Sequence, residues 1–179
     1  MAELTYAEVV RLLKYEPETG RLFWRERPRS MFKSEHLWRL WNSRFAGKEA
    51  FTALRRGYPA GGILGRVYCA HRVAWLLHYG VWPTHEIDHI DGDRTNNRIV
   101  NLRDVSKSVN LRNARMKRNN TTGATGVYWD KRSAKWQAQI TVDGRQRSLG
   151  YFDEKADAIT ARAAANEKHG FSARHGLAA

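Results

Sequence analysis

From Asp91 to Asn97 the chain runs Asp-Gly-Asp-Arg-Thr-Asn-Asn, a stretch without one apolar side chain. Such a run cannot enter a core, and its Gly, Asp and Asn residues favour tight turns. On either side, Glu86 to Ile90 and Ile99 to Arg103 read as short strands. The chain must therefore double back on itself here. Ser106 then suits the N-cap of a helix running to about Lys117. A strand, a polar loop, a second strand and a helix thus form the centre around which everything else is arranged.

The flanks read as an α+β protein. Thr5 followed by Glu8 is a capping-box pattern that opens a short helix. Pro17 and Gly20 mark a turn before a strand at Arg21 to Trp24. Residues 28 to 54 are basic and aromatic, and read either as a helix or as a loop packed on the centre. Gly57 to Ile63 and Arg66 to Ala70 form a hairpin with Gly65 near its turn. His71 to Tyr79 has helical periodicity, with Gly80 as its stop. Asn119 to Gly123 reads as a linker. Beyond it, Trp136 to Thr141 alternates apolar and polar residues, Asp143-Gly144 suits a hairpin turn, and Gln146 to Phe152 is the partner strand. Asp153 caps an alanine-rich helix ending near Gly170. The expected division is 1–118, a linker at 119–123, a second domain at 124–172 and a tail at 173–179.

Charge narrows the partners. A formal net charge of +13 and an isoelectric point near 10.3 should attract polyanions, above all nucleic acid. No segment has the length and apolarity of a membrane span, and neither a basic amphipathic helix nor a lipid anchor is visible. Met1 to Lys14 lacks the pattern of a secretory signal. A single cysteine, Cys69, excludes an internal disulfide and Cys-rich zinc sites, so an intracellular location is expected. No segment reads as a dimer interface, and the oligomeric state stays open.

The chemistry concentrates in Asp88, His89, Asn101 and Asn110. Phosphodiester cleavage needs a base that works near neutral pH, which suits histidine. It also needs a cation on hard oxygen ligands to meet the charge developing on phosphate. Asn101 follows Asp88 by 13 residues and Asn110 follows it by 22. That set, with Tyr15 to Gly20 and Ala70 to Trp75 upstream, resembles the HNH endonucleases of the ββα-metal fold, in the subgroup common in phages and group I introns. The resemblance implies that His89 is the general base and that Asp88 and Asn110 ligate Mg²⁺ or Mn²⁺. It further implies that Asn101 orients His89 through its side-chain carbonyl. Asparagine at the last position favours a hard, oxygen-bound ion over zinc. The Asp91 to Asn97 loop lacks the spacing of a calcium loop and reads as a turn supporting the site. His71 reads as packed beneath it.

Two further stretches point to double-stranded DNA. Arg112, Arg115, Lys117 and Arg118 leave the proposed site without an intervening acid, and can track a phosphate backbone. Gly126-Val127, Lys135 to Ile140, Leu149 to Phe152 and the alanine-rich helix resemble an AP2-type DNA-binding domain, whose sheet enters the major groove. Alternation then turns Val127, Trp129, Trp136, Ala138, Ile140 and Leu149 toward the helix. Tyr128, Gln137, Gln139, Thr141, Gln146 and Ser148 face DNA, with Lys131, Arg132, Arg145 and Arg147 at the rims. Tyr128, Gln139 and Thr141 stand where that family often has arginine. The expected function is a homing-type phage nuclease that nicks duplex DNA in a bacterial cytoplasm. Two rivals stand beside it: a non-catalytic DNA-binding regulator, and a structure-specific nuclease acting on branched DNA.

Overall fold

The computed structural model describes residues 3–114, 116, 119–173 and 175–176. It is a mixed α+β structure of several small sheets, and it divides into two compact units, Met1–Asp104 and Val105–Ala179. The division precedes the helix after the polar hairpin, whereas the expected linker at 119–123 lies within the second unit.

The first unit opens with helix α1 (Tyr6–Leu12). The Glu8 amide donates to Thr5 Oγ1 and the Thr5 amide donates to Glu8 Oε2, which completes the capping box. Strand β1 (Leu13–Glu16) follows directly and pairs antiparallel with β2 (Arg21–Trp24). Helix α2 (Glu35–Phe45) then fills the basic aromatic stretch, and none of its side chains is buried. Aromatic edges hold it instead. Trp38 Nε1 donates to Arg27 O at 2.8 Å, and Trp41 meets Trp24 edge-on at 5.8 Å. The Arg27 guanidinium lies 3.9 Å from the centre of the Trp41 ring.

Strand β3 (Glu49–Ala50) completes the first sheet beside β2. Strands β4 (Ala53–Arg55), β5 (Tyr58–Ile63) and β6 (Arg66–Cys69) form a second antiparallel sheet. Helix α3 (Ala70–Tyr79) continues from β6 and ends at left-handed Gly80. Val9, Leu12, Leu13, Leu22, Ile63, Val73 and Leu76 form the core between α1, α3 and the two sheets. Each such side chain contributes roughly 1.5–3 kcal/mol on burial.

Strands β7 (Glu86–His89) and β8 (Leu102–Val105) form a small sheet of their own. The second strand starts later than the sequence predicts, because Ile99–Asn101 is a 3₁₀ turn. Its amides are committed elsewhere: Ile99 N donates to Pro17 O and Asn101 N to Arg98 O. The partner Pro17 belongs to the β1–β2 turn, which presses on this segment. The Tyr15 hydroxyl donates to Asn97 O at 2.7 Å. Gly20, at φ +76°, has no room for a side chain, since a Cβ there would stand 2.5 Å from Arg98 N.

In the second unit, helix α4 (Lys107–Arg112) is capped by Ser106 and stops at Asn113. The expected continuation to Lys117 ends outside the described residues. Strands β9 (Val127–Asp130), β10 (Lys135–Val142) and β11 (Arg145–Phe152) form an antiparallel sheet with β10 central. Helix α5 (Lys155–Lys168) covers one face, burying Val127, Ala138, Ile140, Val142, Ala158 and Ala165. Alanines at the contact let the helix lie close. Its cap is Glu154, not Asp153, whose carboxylate instead pairs with Lys135 at 3.0 Å. Trp129 also departs from expectation. It sits on the edge strand β9, is 46% exposed, and leans edge-on against Trp136.

A substitution pair tests the contact at Gly20. Gly65 has a similar φ of +78° with nothing near its Cβ position. Gly65→Ala should cost about 1 kcal/mol of unfolding free energy, the strain of left-handed alanine. Gly20→Ala should cost about 2 kcal/mol more, from the backbone clash. Equal losses in urea titrations would contradict the buttress.

Candidate active site

His89 ends β7 with 4% of its surface exposed, and Asp88 beside it has 6%. A buried imidazole must find a hydrogen-bond partner, and this one finds it in the polar loop. His89 Nε2 lies 3.1 Å from Asn97 Oδ1. Asn97 Nδ2 donates to Thr95 O at 3.3 Å, which turns the carboxamide oxygen toward the ring. That contact suits the ring tautomer that carries its proton on Nε2 and donates to the carboxamide oxygen. Asn97 is itself 3% exposed, and Tyr15 holds its backbone carbonyl.

Rings pack around His89. His71 meets it edge-on at 5.3 Å, and Tyr58 lies 5.0 Å from His71 and 5.9 Å from His89. The Arg94 guanidinium covers Tyr58 at 4.7 Å and donates to Arg56 O. His71 is buried, and its Nδ1 has no hydrogen-bond partner. Burial pushes its pKa down to about 3, with His89 and Arg72 adding to the shift. It is neutral at physiological pH, packed against the catalytic candidate as the sequence suggested.

Asp88 Oδ2 accepts two hydrogen bonds from Arg103, from Nε at 2.9 Å and Nη2 at 2.7 Å. The loop between these strands is closed by Asn101. Its Oδ1 accepts from the Asp91 amide at 3.0 Å, and its Nδ2 donates to Asp91 Oδ1 at 2.9 Å and Asn96 O at 2.8 Å. Desolvation raises the Asp91 pKa, but hydrogen bonds from Asn96, the Asp93 amide and Asn101 outweigh it and hold the carboxyl below its ordinary value. Asp93 is lowered by Thr95, whose hydroxyl and amide both donate to it. The loop is thus a set of satisfied turns.

Several expected residues are therefore together and others are not. Asp88, His89 and Asn101 share the first unit, yet the side chain of Asn101 serves the loop, and Asn97 is the asparagine on the His89 ring. Asn110 lies on α4, in the second unit. Arg112 is paired with Asp143 at 2.7 Å. Arg115, Lys117 and Arg118 lie outside the described residues. In the sheet of the second unit, register sets Gln137 beside Tyr128 and Thr141 beside Gln146 on the face away from α5. The Tyr128 hydroxyl donates to Gln139 Oε1 at 2.7 Å, and Gln146 Nε2 donates to the same oxygen. Lys131, Arg132, Arg145 and Arg147 are exposed.

Comparison with known proteins adds one decisive finding. Residues 68–112 match the family model for HNH endonucleases. This HNH segment runs from β6 to the end of α4 and holds all four expected site residues. The chain is also 32% identical over 80 residues to Protein 3.8 of Escherichia phage T7. That similarity spans 44% of this chain and 66% of the phage protein. No solved structure matches. Sequence reasoning missed Asn97 and Arg103 as partners of His89 and Asp88. The loop signal was present for Asn97, but nothing in the spacing told its role from that of Asn101.

Hard oxygen donors suit a small divalent ion. One carboxylate and one carboxamide are few ligands, and Mg²⁺ commonly keeps waters and substrate phosphate for the rest. Among the described residues no three His, Cys, Asp or Glu side chains gather closely enough to form a metal cluster.

Because His71 binds its proton less readily when folded, the unfolded chain takes up more protons below pH 6.5. Its contribution to stability is fully present above 6.5 and falls as pH drops toward about 3. Urea titrations from pH 7 to pH 4 should show a loss on the order of a few kcal/mol. His71→Phe should flatten that slope. An unchanged slope would mean that His71 is protonated in the folded protein.

Proposed function

We propose that the protein is a metal-dependent endonuclease that hydrolyses phosphodiester bonds in duplex DNA, a nicking enzyme of the homing type found in phages. The observation that carries this reading is His89, buried, oriented by Asn97, and adjacent to Asp88 within the HNH segment. The His89 imidazole takes the proton from the attacking water, while the contact of its Nε2 with Asn97 fixes the ring. Asp88 and Asn110 would hold a divalent ion, which would supply positive charge to the scissile phosphate. Arg103, with two hydrogen bonds to Asp88 Oδ2, fixes the orientation of that carboxylate. Asn101 acts by fixing the loop from which Asn97 reaches the base.

The second unit supplies affinity in this reading. A three-stranded antiparallel sheet with one helix on one face suits an AP2-like module, and its other face carries Tyr128, Gln137, Gln139, Thr141 and Gln146. Carboxamides and hydroxyls can read base edges in the major groove. Lys131, Arg132, Arg145 and Arg147 contact phosphates at the rims, and Arg115, Lys117 and Arg118 extend the basic path. Arg112, tied to Asp143, contributes charge with less freedom to reach.

Supercoiled plasmid with Mg²⁺, Mn²⁺ or EDTA tests the activity. Wild type should produce open circles only with metal, and His89→Ala should lower the rate by at least about 10²-fold. Cleavage unchanged in His89→Ala would overturn the assignment, and no cleavage of plasmid or branched DNA would favour a non-catalytic binding protein. Affinity measured in EDTA should fall steeply as salt rises from 50 to 200 mM, because bound phosphates release counterions. A flat response would exclude the basic residues as the source of affinity.

A further inference from the structure

Helix α4 has a divided loyalty. The HNH match runs through it to residue 112, yet by compactness it belongs to the second unit. It has only 6 residues, too few to hold a helical shape unaided. What packs on it therefore determines its geometry.

Contacts within the second unit grip it at both ends. Arg112 Nη2 donates to Asp143 Oδ1 at 2.7 Å, and Ser108 Oγ donates to the same oxygen at 3.5 Å. Past the C-terminal end, where carbonyls lack helical partners, the Ser172 amide donates to Arg112 O and the Gly176 amide to Ala114 O. That returning segment is itself fixed. Arg162, buried in α5, donates to Thr125 O at 3.1 Å, and its Nη2 donates to His175 Nε2 at 3.2 Å. Phe171 packs edge-on against His175 at 4.7 Å. Asp143 is the first residue of the turn joining β10 to β11, at φ +52° beside Gly144 at +75°.

We propose that Asp143 is a positioning residue of the nuclease: the turn of the DNA-facing hairpin holds α4, and so sets the attitude of Asn110. The inference rests on the reading of Asn110 as a metal ligand. It recasts Arg112, which serves the scaffold before it serves phosphate. The sheet that grips the duplex and the helix that offers a metal ligand then belong to one body. Asp143 is 73% exposed, so salt weakens the pair, and the amide bonds from Ser172 and Gly176 supply the part of the hold that salt spares.

Asp143→Asn in the full chain is a fold-safe test. Asparagine before glycine favours the same left-handed turn, so only the charge is lost. Amide hydrogen exchange, read without metal or DNA, should speed up about 5–10-fold over 107–112 and stay unchanged in α5. Single-turnover nicking should need about 5–10-fold more Mg²⁺ for half-maximal rate, while duplex affinity in EDTA stays within about twofold. Adding Arg112→Ala should speed exchange by less than the same substitution does in the wild type, since the ionic part of the pair is already gone. Unchanged exchange and Mg²⁺ dependence would overturn the proposal, as would a loss of rate that merely follows duplex affinity. A wild type that cleaves nothing would overturn the nuclease reading instead. Exchange is measured apart from activity, so the two failures are distinguishable.

Discussion

A histidine and two asparagines buried beneath a polar loop set the terms for the first unit. His89, Asn97 and Asn101 lie almost wholly out of water, and buried polar groups are costly unless every donor and acceptor is met. The loop meets them internally. Asn101 links Asp91 to Asn96, and Asn97 bridges Thr95 and His89. From this follow the 3₁₀ turn at 99–101, the late start of β8, and the close approach of Gly20. The apolar core of α1, α3 and the sheets supplies the stability that carries this polar cluster.

The same network explains a division of labour between two asparagines. A buried imidazole is oriented by its hydrogen-bond partner, and the loop that carries that partner is held in turn. Asn97 does the first and Asn101 the second, so either substitution would disturb the imidazole by a different route. Arg103 plays a comparable part for Asp88. A buried carboxylate next to a histidine is met by a planar fork of donors. Uncompensated negative charge is avoided whether or not an ion is bound.

Much of this was legible in the sequence. The apolar-free run from Asp91 to Asn97 fixed the hairpin, Thr5 and Glu8 announced the first helix, and the alternation around Trp136 gave the faces of the second sheet. Residues whose role depends on a rotamer were not legible. Asn97 and Asn101 are chemically identical, and only the direction of each carboxamide tells them apart. Ile99 was read as strand because its apolar side chain suits one, but its amide is taken by Pro17, far away in sequence. Trp129 followed the alternation and still stands half in solvent, because an edge strand is covered on fewer sides. The stretch 28–54 yielded a helix with no buried side chain, so periodicity had no core face to report.

The hydrogen bond from Tyr15 to Asn97 O joins positions 82 residues apart. Closing so long a loop costs chain entropy, which the contacts across it must offset. The strands β7 and β8 and their turn can pair early, as neighbours in sequence. Support of Asn97, and with it the orientation of the His89 ring, therefore depends on the N-terminal hairpin. The side chains of His89 and Asn97 are neighbours in sequence, yet the carbonyl that anchors Asn97 is held from the far end of the unit.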